Sequence, residues 1–324
     1  LIPTYNRAPL LKEVLNSLEK QSLPKDQYEV IVIDDGSSDN TAKAVSNFCE
    51  KFSIRYAYQE NQGISVAKNH AIQLSQAPIV LFMDDDDIAD SHLLVEHLNS
   101  HEAYPEENMA VLGFTSLDED VSASPLMHFV TQVGYYLFNY PIIKHGDMLN
   151  YTYFWGGRSS CKKTLLLRCG MFDPVFRFGT EDIELGYRLS ACDLKVVYNQ
   201  NAYTTMIRTM SLNDFCKRVE QQGYSNWIFS QKHPVSEVEL WTDVLDINTR
   251  WRVIKHQLEI IRKSAFDLEK IVQMRQKYEM KIDDSLTSLL HNAYWKVFDS
   301  YRIKGSWKAQ QDQIQTRVTQ VSGS

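Results

Sequence analysis

Four aspartates, Asp84–Asp87, stand in a row directly after the apolar run Ile79–Met83. The run predicts a buried strand, so the carboxylates meet solvent together where that strand ends. Two carboxylates about 4 Å apart repel each other by roughly 4 kcal/mol at an effective dielectric constant of about 20, which is costly without a positive partner. A divalent cation, Mg²⁺ or Mn²⁺, is the simplest such partner, because these ions prefer oxygen ligands from carboxylates and substrate phosphates. The alternative is that Asp87 or Asp90 caps the next helix and that the other carboxylates are solvated.

A second pair of acids follows the apolar run Val30–Ile33. Asp34 and Asp35 precede Gly36, a turn residue, and polar residues that can cap a helix. A carboxylate here can accept a hydrogen bond from a nucleotide base or a ribose hydroxyl, and the alternative is a structural turn with a helix cap. Neither this segment nor residues 61–63 match G-x-G-x-x-G or G-x-x-x-x-G-K-[ST], so the signatures of dinucleotide-binding dehydrogenases and P-loop proteins are lacking.

Strands and helices alternate in the part of the chain that carries these acids. Apolar runs predict strands at the start of the chain and over residues 29–33, 54–59 and 79–83, with helical spacing between them. This alternation predicts an α/β fold with a Rossmann-like, doubly wound and mainly parallel sheet. Ligands of such sheets bind beyond the carboxyl ends of the strands. The polar segments that follow the strands are therefore expected to converge on one crevice.

The rest of the chain is less regular and then helical. Residues 109–180 are rich in aromatic side chains, which predict either core packing or a wall for a second substrate. From Trp251 to Val272, apolar residues recur at spacings of three and four, the pattern of a helix packed against another helix. A helix over about residues 286–297 is the expected partner, so the C-terminal part of the chain is predicted to be helical.

Charge and cysteine usage narrow the class of protein. The net charge of −7 is uneven: residues 251–324 hold 13 Lys and Arg against eight Asp and Glu, a local +5 that leaves −12 elsewhere. An acidic body argues against nucleic-acid binding, while the basic end favours either a solvated helix face or an anionic partner such as a membrane surface. The five cysteines form no C-x-x-C pair and predict reduced thiols. We therefore expect a cytoplasmic protein, with contact to a membrane only at its surface.

Five ordered segments together resemble family 2 glycosyltransferases of the GT-A fold. They are residues 2–7 (IPTYNR), 32–41 (VIDDGSSDNT), 61–69 (NQGISVAKN), 82–87 (FMDDDD) and 170–189 (GMFDPVFRFGTEDIELGYRL). The resemblance covers about residues 1–225 and implies a donor half over about residues 1–108 and an acceptor half over about residues 109–225. Residues 226–324 would be a helical C-terminal extension.

The resemblance also implies roles for single residues. The nucleotide of the donor would lie against Pro3, Thr4, Tyr5, Asp35, Lys68, Asp84 and Asp85. Asp86 would bind Mn²⁺ or Mg²⁺, with Asp87 in support. Asp182 would be the catalytic base, and the sugar and acceptor would be shaped by Glu181, Trp155, Gly156 and Gly157. For the pair Glu181-Asp182, the local alternative is the acid-rich start of a helix.

One departure from the family concerns the metal. Many relatives place a histidine near the end of residues 201–206 as a further metal ligand, whereas this chain has Met206. A thioether does not suit Mg²⁺ or Mn²⁺. No histidine is an obvious substitute, because His92, His97 and His101 are expected on the solvated face of a helix.

The predicted function is that of an inverting, metal-dependent glycosyltransferase. It would move a sugar from a nucleotide sugar, with UDP-sugars favoured, to a hydroxyl of a glycan or lipid-linked acceptor. The alternatives are a noncatalytic nucleotide-sugar or carbohydrate-binding protein, and a subunit of a glycan-assembly complex. The C-terminal helices would either mediate self-association or pack only on the chain's own body.

Overall fold

The computed structural model describes residues 1–322, with side chains as far as residue 315. The chain forms two compact units. Unit 1 consists of residues 1–121, 139–177 and 181–208, and unit 2 consists of residues 122–138, 178–180 and 209–324. The boundary that the sequence suggests near residue 225 falls inside a helix of unit 2, Leu212–Lys232. The division into a donor half, an acceptor half and an extension stays a prediction.

Unit 1 begins with a parallel α/β arrangement. Its first strands are β1 (Ile2–Thr4), β2 (Val30–Asp34) and β3 (Ile54–Tyr58). They are connected by α1 (Ala8–Leu18) and α2 (Thr41–Ser46), and both neighbouring pairs of strands are parallel. Every residue of β2 is buried, as its continuous apolar run predicts for a central parallel strand.

The fourth strand joins this group to the rest of the sheet. The amino group of Leu1 donates to Leu81 O at 2.7 Å and Met83 N donates to Leu1 O at 3.0 Å, which is the pattern of a parallel bridge. The further strands are β4 (Ile79–Leu81), β5 (Asp87–Ala89), β6 (Met109–Leu117), β7 (Met148–Leu149), β8 (Ser159–Lys162) and β9 (Lys195–Met206). The three-stranded sheet β3-β2-β1 is thus continued, through the bonds of Leu1, by a second sheet of order β4-β8-β6-β9-β5, in which β7 also pairs with β9.

Three helices of unit 1 pack against these strands: α3 (Ile64–Leu74), α4 (Leu93–Ala103) and α7 (Lys163–Cys169). A further helix, α8 (Glu181–Ser190), packs against α7 and the turn at residues 151–153, and a short α5 (Glu119–Ser122) follows β6. The predicted α/β fold with a Rossmann-like, doubly wound sheet and C-terminal helices is confirmed. β5, β7 and β8 run antiparallel to their neighbours, because they return from loops rather than from helical crossovers.

Unit 2 is helical. Its helices are α6 (Pro125–His128), α9 (Leu212–Lys232), α10 (Ser236–Thr242), α11 (Ile247–Ile254), α12 (Leu258–Lys277) and α13 (Asp284–Ser322). The seam predicted from Trp251 to Val272 is divided between α11 and α12, and Ile261, Ala265 and Val272 are buried as predicted. Among the described residues, none of the helices has both the length and the apolar character that crossing a membrane requires.

Glycines bring two helices of unit 2 into backbone contact. A Cβ added at Gly223 of α9 would overlap Arg302 O, and one added at Gly305 of α13 would overlap Glu220 O. An ion pair lies beside this helix crossing, with Lys304 Nζ 2.8 Å from Glu220 Oε2. Small residues at a helix crossing allow this close approach, so α9 and α13 are fixed in register at these two points.

Two expectations about cysteines and histidines are wrong. Cys169 and Cys192 form a disulfide, which joins the end of α7 to the turn after α8, whereas the sequence predicts reduced thiols. His97 and His101 are buried, and a nitrogen of each lies within 2.9 Å of Ser160 Oγ. The pattern misled because α4 packs against β6 and β9, so these two histidines face the sheet and reach Ser160 of β8 rather than solvent. His92, as expected, is exposed.

Candidate active site

Asp84, Asp85 and Asp86 lie between β4 and β5, and Asp87 is the first residue of β5, at the edge of the sheet that the sequence predicts. Asp85, Asp86 and Asp87 are buried, and only the side chain of Asp84 is substantially exposed, at 34%. The alternative in which most of these carboxylates are solvated is therefore excluded. Their mutual repulsion must be offset by positive groups that reach the same place.

Arg158, which precedes β8, neutralises two of the four. Its Nη2 lies 3.0 Å from Asp84 Oδ2 and 3.0 Å from Asp87 Oδ2, and its Nε donates to Thr115 Oγ1 at 2.9 Å. The Arg158 side chain is 10% exposed, so the pair with the fully buried Asp87 is shielded from solvent. Burial, opposed by the Arg158 charge, raises the pKa of Asp87 to about 7.

Two further arginines hold the other pair. Arg7, just after β1, donates through Nη1 to Asp85 Oδ1 at 2.6 Å, and Thr4 donates through Oγ1 to Asp85 Oδ2 at 2.7 Å. Arg208, just after β9, places Nε 2.7 Å from Asp86 Oδ2. This contact is an ion pair without the alignment of a hydrogen bond. Burial raises the pKa of Asp85 to about 6 even though Arg7 opposes the shift.

Sequence reasoning missed these three arginines and assigned the positive charge to a metal. A signal was present for two of them. Arg7 and Arg208 follow β1 and β9 by a few residues, so they are basic residues at the same carboxyl edge that carries the acids. Arg158 precedes a strand, and only the pairing of β8 with β4 brings it to the cluster.

Asp35 organises the loop predicted to face the nucleoside. Its Oδ1 accepts from Gln59 Nε2 at 2.8 Å and from Gln62 N at 2.9 Å, and its Oδ2 accepts from Gly63 N at 2.9 Å. Asn61 Nδ2 also donates to the Asp35 carbonyl at 2.9 Å. The structure thus brings the end of β2 and residues 59–63 together. Most of the hydrogen-bonding capacity of the Asp35 carboxylate is used to hold that loop.

The turn after β1 presents Tyr5 at the surface. Tyr5 is 49% exposed, whereas Thr4 is buried and Pro3 is half-buried. Asn6 adopts φ +52°, and its side chain accepts from Ser38 N at 2.8 Å. This bond ties the end of β1 to the loop after β2, so the first two predicted motifs are in contact.

Lys68 and Glu181 form a buried pair that connects α3 with α8. Lys68 Nζ lies 2.9 Å from Glu181 Oε1, with side chains 1% and 7% exposed. The ammonium group also stands 5.0 Å from the centre of the Phe172 ring. The sequence predicts Lys68 beside the nucleotide and Glu181 beside the acceptor, and the structure places the two in direct contact.

Asp182 is half-buried at the start of α8. Its Oδ2 accepts from Gly156 N at 2.8 Å and its Oδ1 accepts from Ile183 N at 2.9 Å. Burial raises the pKa of the Asp182 carboxyl, and the neighbouring Glu181 carboxylate raises it further against the opposing charge of Lys68. A carboxylate with a raised pKa is a better proton acceptor, which is what a general base requires.

Gly156 and Gly157 leave the space in which these groups meet. A Cβ at Gly156 would overlap Lys68 Nζ and lie 3.1 Å from the Asp182 Cβ, and a Cβ at Gly157 would overlap the Asp84 carboxylate. Asp84 N also donates to Gly157 O at 3.2 Å. The predicted base therefore lies against Gly156, and the predicted donor carboxylate lies against the adjacent Gly157.

Trp155 lies beside this dipeptide and is half-buried. Its ring stacks on Tyr153 with centroids 5.6 Å apart, and its Nε1 donates to Thr152 O at 2.9 Å. Tyr140 packs edge-on against Trp155, with centroids 5.2 Å apart, and it also contacts Phe114 and Tyr198. The Trp155 ring is therefore continuous with the aromatic packing of the sheet, and a wall for a second substrate stays a prediction.

The residues around Asp86 do not fit a divalent cation as they are arranged. A bound Mn²⁺ or Mg²⁺ would stand roughly 2.1 Å from a carboxylate oxygen. Asp86 Oδ2 already contacts Arg208 Nε at 2.7 Å and has Arg7 Nη1 at 3.6 Å. Met206 is buried in β9 opposite Asp87 and offers only a thioether. Within residues 1–315, no three His, Cys, Asp or Glu side chains are grouped so that they could hold a metal ion.

Known proteins resemble this chain in both sequence and fold. Residues 1–168 match the family model of glycosyl transferase family 2. Validoxylamine A glucosyltransferase of Streptomyces hygroscopicus subsp. jinggangensis is 31% identical over 226 residues, which are 63% of this chain and 53% of that protein. Chondroitin synthase of Escherichia coli is 30% identical over 234 residues, 63% of this chain and 34% of that protein. The chain spans about half the length of the first of these relatives.

Solved structures agree in fold. The mannosyltransferase PcManGT from Pyrobaculum calidifontis, solved in complex with GDP-Man and Mn²⁺, superimposes with a TM-score of 0.61 over 96% of this chain and 86% of its own, at 17% identity. Staphylococcus aureus TarS 1–349 in complex with UDP gives a TM-score of 0.52 over 95% of this chain and 90% of its own, at 19% identity. These likenesses show a GT-A fold. With the family match over more than half of its residues, the chain belongs to glycosyl transferase family 2.

Proposed function

We propose that this protein transfers a sugar from a nucleotide sugar, with UDP-sugars favoured, to a hydroxyl of a glycan or lipid-linked acceptor. The observation that carries the proposal is the close approach of Asp182 to Gly156 and of Asp84 to the adjacent Gly157. A donor bound against Asp84 and an acceptor hydroxyl at Asp182 would then meet at this dipeptide. The preference for uridine draws on the resemblance and on the UDP complex of TarS.

The proposed chemistry is a single displacement at the anomeric carbon. Asp182 accepts the proton of the acceptor hydroxyl while its oxygen attacks, and the nucleoside diphosphate leaves from the opposite face, which inverts the anomeric configuration. The raised pKa of Asp182 suits this role. Glu181, held by Lys68, keeps a second negative charge beside the base and helps to maintain that raised pKa.

Of the features predicted for this transferase, the divalent cation has the least support from the arrangement of charged side chains around Asp86. The neighbouring mannosyltransferase contains Mn²⁺. In this chain, an ion at Asp86 would first have to displace Arg208 from Oδ2. No step is therefore assigned to a metal.

The test is calorimetric titration of UDP and then GDP into the wild-type protein, followed by a screen of UDP-sugars with acceptors. We expect UDP to bind more tightly than GDP, and Asp84→Ala to weaken it. Asp26→Ala is the matched control, because Asp26 is an exposed aspartate in a loop of the same unit. Failure of both nucleotides to bind would overturn the proposal.

The main alternative is a noncatalytic protein that binds nucleotide sugars. It is favoured by Met206, which stands where the resemblance predicts a histidine ligand. Nucleotide-sugar binding without transfer or hydrolysis, across a panel of donors and acceptors, would support this alternative. Transfer that Asp182→Asn abolishes would exclude it.

Contact with a membrane surface or self-association through the C-terminal helices also stays a prediction. On α12, the side chains of Ile260, Ile271 and Met274 are exposed, at 70%, 45% and 60%, beside Lys263 and Lys270. Such a surface suits either an anionic lipid or a second copy. Co-sedimentation with anionic vesicles and light scattering of the protein alone would distinguish them.

A further inference from the structure

The four aspartates and three arginines form one nearly balanced charge cluster. Each arginine comes from a different part of the chain, and together they contact all four carboxylates at 2.6 to 3.0 Å. The cluster holds four acids and three guanidinium groups, so its formal charge is −1. It therefore attracts a further cation much less than four unpaired carboxylates would.

Arg208 contacts one of the two Asp86 oxygens that could bind a metal. Its Nε is 2.7 Å from Asp86 Oδ2, and Arg7 Nη1 is 3.6 Å from the same oxygen. A divalent ion on that oxygen would lie within a few ångströms of both guanidinium groups and would be repelled by them. Met206, which stands where the resemblance predicts a histidine ligand, offers sulfur instead of oxygen or nitrogen.

Two of the arginine side chains are partly accessible from solvent although the carboxylate that they share is buried. The side chains of Arg208 and Arg7 are 23% and 35% exposed, whereas that of Asp86 is 5% exposed. A ligand from solvent can therefore contact parts of these arginine side chains where Asp86 is nearly inaccessible. Guanidinium groups bind phosphate oxygens through paired N–H donors and keep their charge at any physiological pH.

We propose that Arg208 takes the place of the divalent cation at Asp86 and binds the diphosphate of the donor directly. This inference rests on the proposed function. In the transfer step, the bond between the anomeric carbon and the diphosphate oxygen breaks and its electron pair leaves with the diphosphate. The acceptor oxygen forms the new bond and its proton passes to Asp182. The charge that develops on the leaving diphosphate is neutralised by Arg208, with Arg7 beside it.

Calorimetric titration of UDP, in excess EDTA and again with Mn²⁺, tests the proposal. In the wild type we expect binding in EDTA, with an affinity that Mn²⁺ changes by less than about threefold. In Arg208→Ala we expect the affinity in EDTA to fall by at least about tenfold, because a charged hydrogen-bonding partner of the diphosphate is lost. Mn²⁺ should then restore part of the affinity, since Asp86 becomes accessible to it.

Matched controls separate this effect from misfolding and from general loss of charge. Arg168→Ala removes an arginine of unit 1 that pairs with Glu107 at 3.1 Å outside the cluster, and its UDP affinity should equal that of the wild type. Uridine, which lacks the diphosphate, should bind the wild type and Arg208→Ala equally. Arg208→Lys keeps the charge but lacks the planar guanidinium group, so its UDP affinity in EDTA should lie between those of the wild type and Arg208→Ala. This variant keeps the test valid if Arg208→Ala does not fold.

The failure of this inference differs from the failure of the proposed function. UDP binding to the wild type that disappears in EDTA would overturn the role of Arg208 and leave the transferase proposal standing. Unchanged UDP affinity of Arg208→Ala in EDTA would do the same. Absence of UDP and GDP binding under both conditions would overturn both.

Discussion

Lys68 Nζ lies 2.9 Å from Glu181 Oε1, and both side chains are almost completely buried. The contact joins α3, which follows the third strand, to the first residue of α8. It therefore fixes the position of Asp182, the next residue, relative to α3. A buried pair of this kind is sensitive to the loss of one partner, because the other charge is left without compensation.

Lys68→Met should destabilise the protein by about 3 kcal/mol, since Glu181 would remain buried without its partner. Urea unfolding followed by circular dichroism measures this change. The double variant Lys68→Met/Glu181→Gln should recover part of the loss. Lys51→Met removes a surface pair with Glu19 and should cost less than about 1 kcal/mol. Equal losses for Lys68→Met and Lys51→Met would contradict the buried pair.

Asp182→Asn should abolish sugar transfer while UDP binding stays close to that of the wild type. The amide cannot accept the proton, but it keeps the size of the side chain and can still accept from Gly156 N. Transfer rates and calorimetric affinities measured on the same preparations provide the test. Wild-type transfer rates in this variant would remove Asp182 from the role of base.

The pH dependence of transfer should report the raised pKa of Asp182. The base must be ionised, so activity is present above this pKa and falls as the pH decreases through it. Because burial and Glu181 raise the pKa, the acid limb of kcat/KM should lie above the usual range of an aspartate. Glu181→Gln removes one cause of the shift and should move that limb to lower pH. A limb that stays in place would show that another group titrates.

Gly157→Ala should reduce nucleotide binding and transfer by more than about a hundredfold if Asp84 is displaced by the new methyl group. Gly146→Ala is the contrasting variant, because Gly146 has open space around it but a φ of +85°. It should cost about 1 kcal/mol of stability and leave transfer unchanged. Comparison of transfer rates with unfolding free energies tests both. A similar loss of activity in the two variants would contradict the close approach at Gly157.

Gly305→Ala should destabilise unit 2 by about 2 kcal/mol or more, since the new Cβ would overlap Glu220 O. The sign of the change in unfolding free energy is informative, because replacing glycine by alanine in an exposed helix interior stabilises the helix by roughly 1 kcal/mol. Thermal and urea unfolding measure the change. A stabilising effect would mean that α9 and α13 do not approach each other at this residue.

The sequence by itself determined the alternation of strands and helices, the α/β fold and the segments that carry the polar residues. Asp34-Asp35, Asp84–Asp87 and Glu181-Asp182 each sit where a local pattern ends a strand or begins a helix. Hydrophobic periodicity is a property of neighbouring residues, so these features can be inferred from short stretches of chain.

Only the tertiary structure decided which groups neutralise the acids. Arg7 reaches Asp85 across 78 residues and Arg158 reaches Asp87 across 71, and Lys68 meets Glu181 across 113. His97 and His101 were misjudged, and the bond between Cys169 and Cys192 was missed, for the same reason. Charge pairing and burial depend on distances in space, which are set by strand order and helix packing and leave no periodic trace in the sequence.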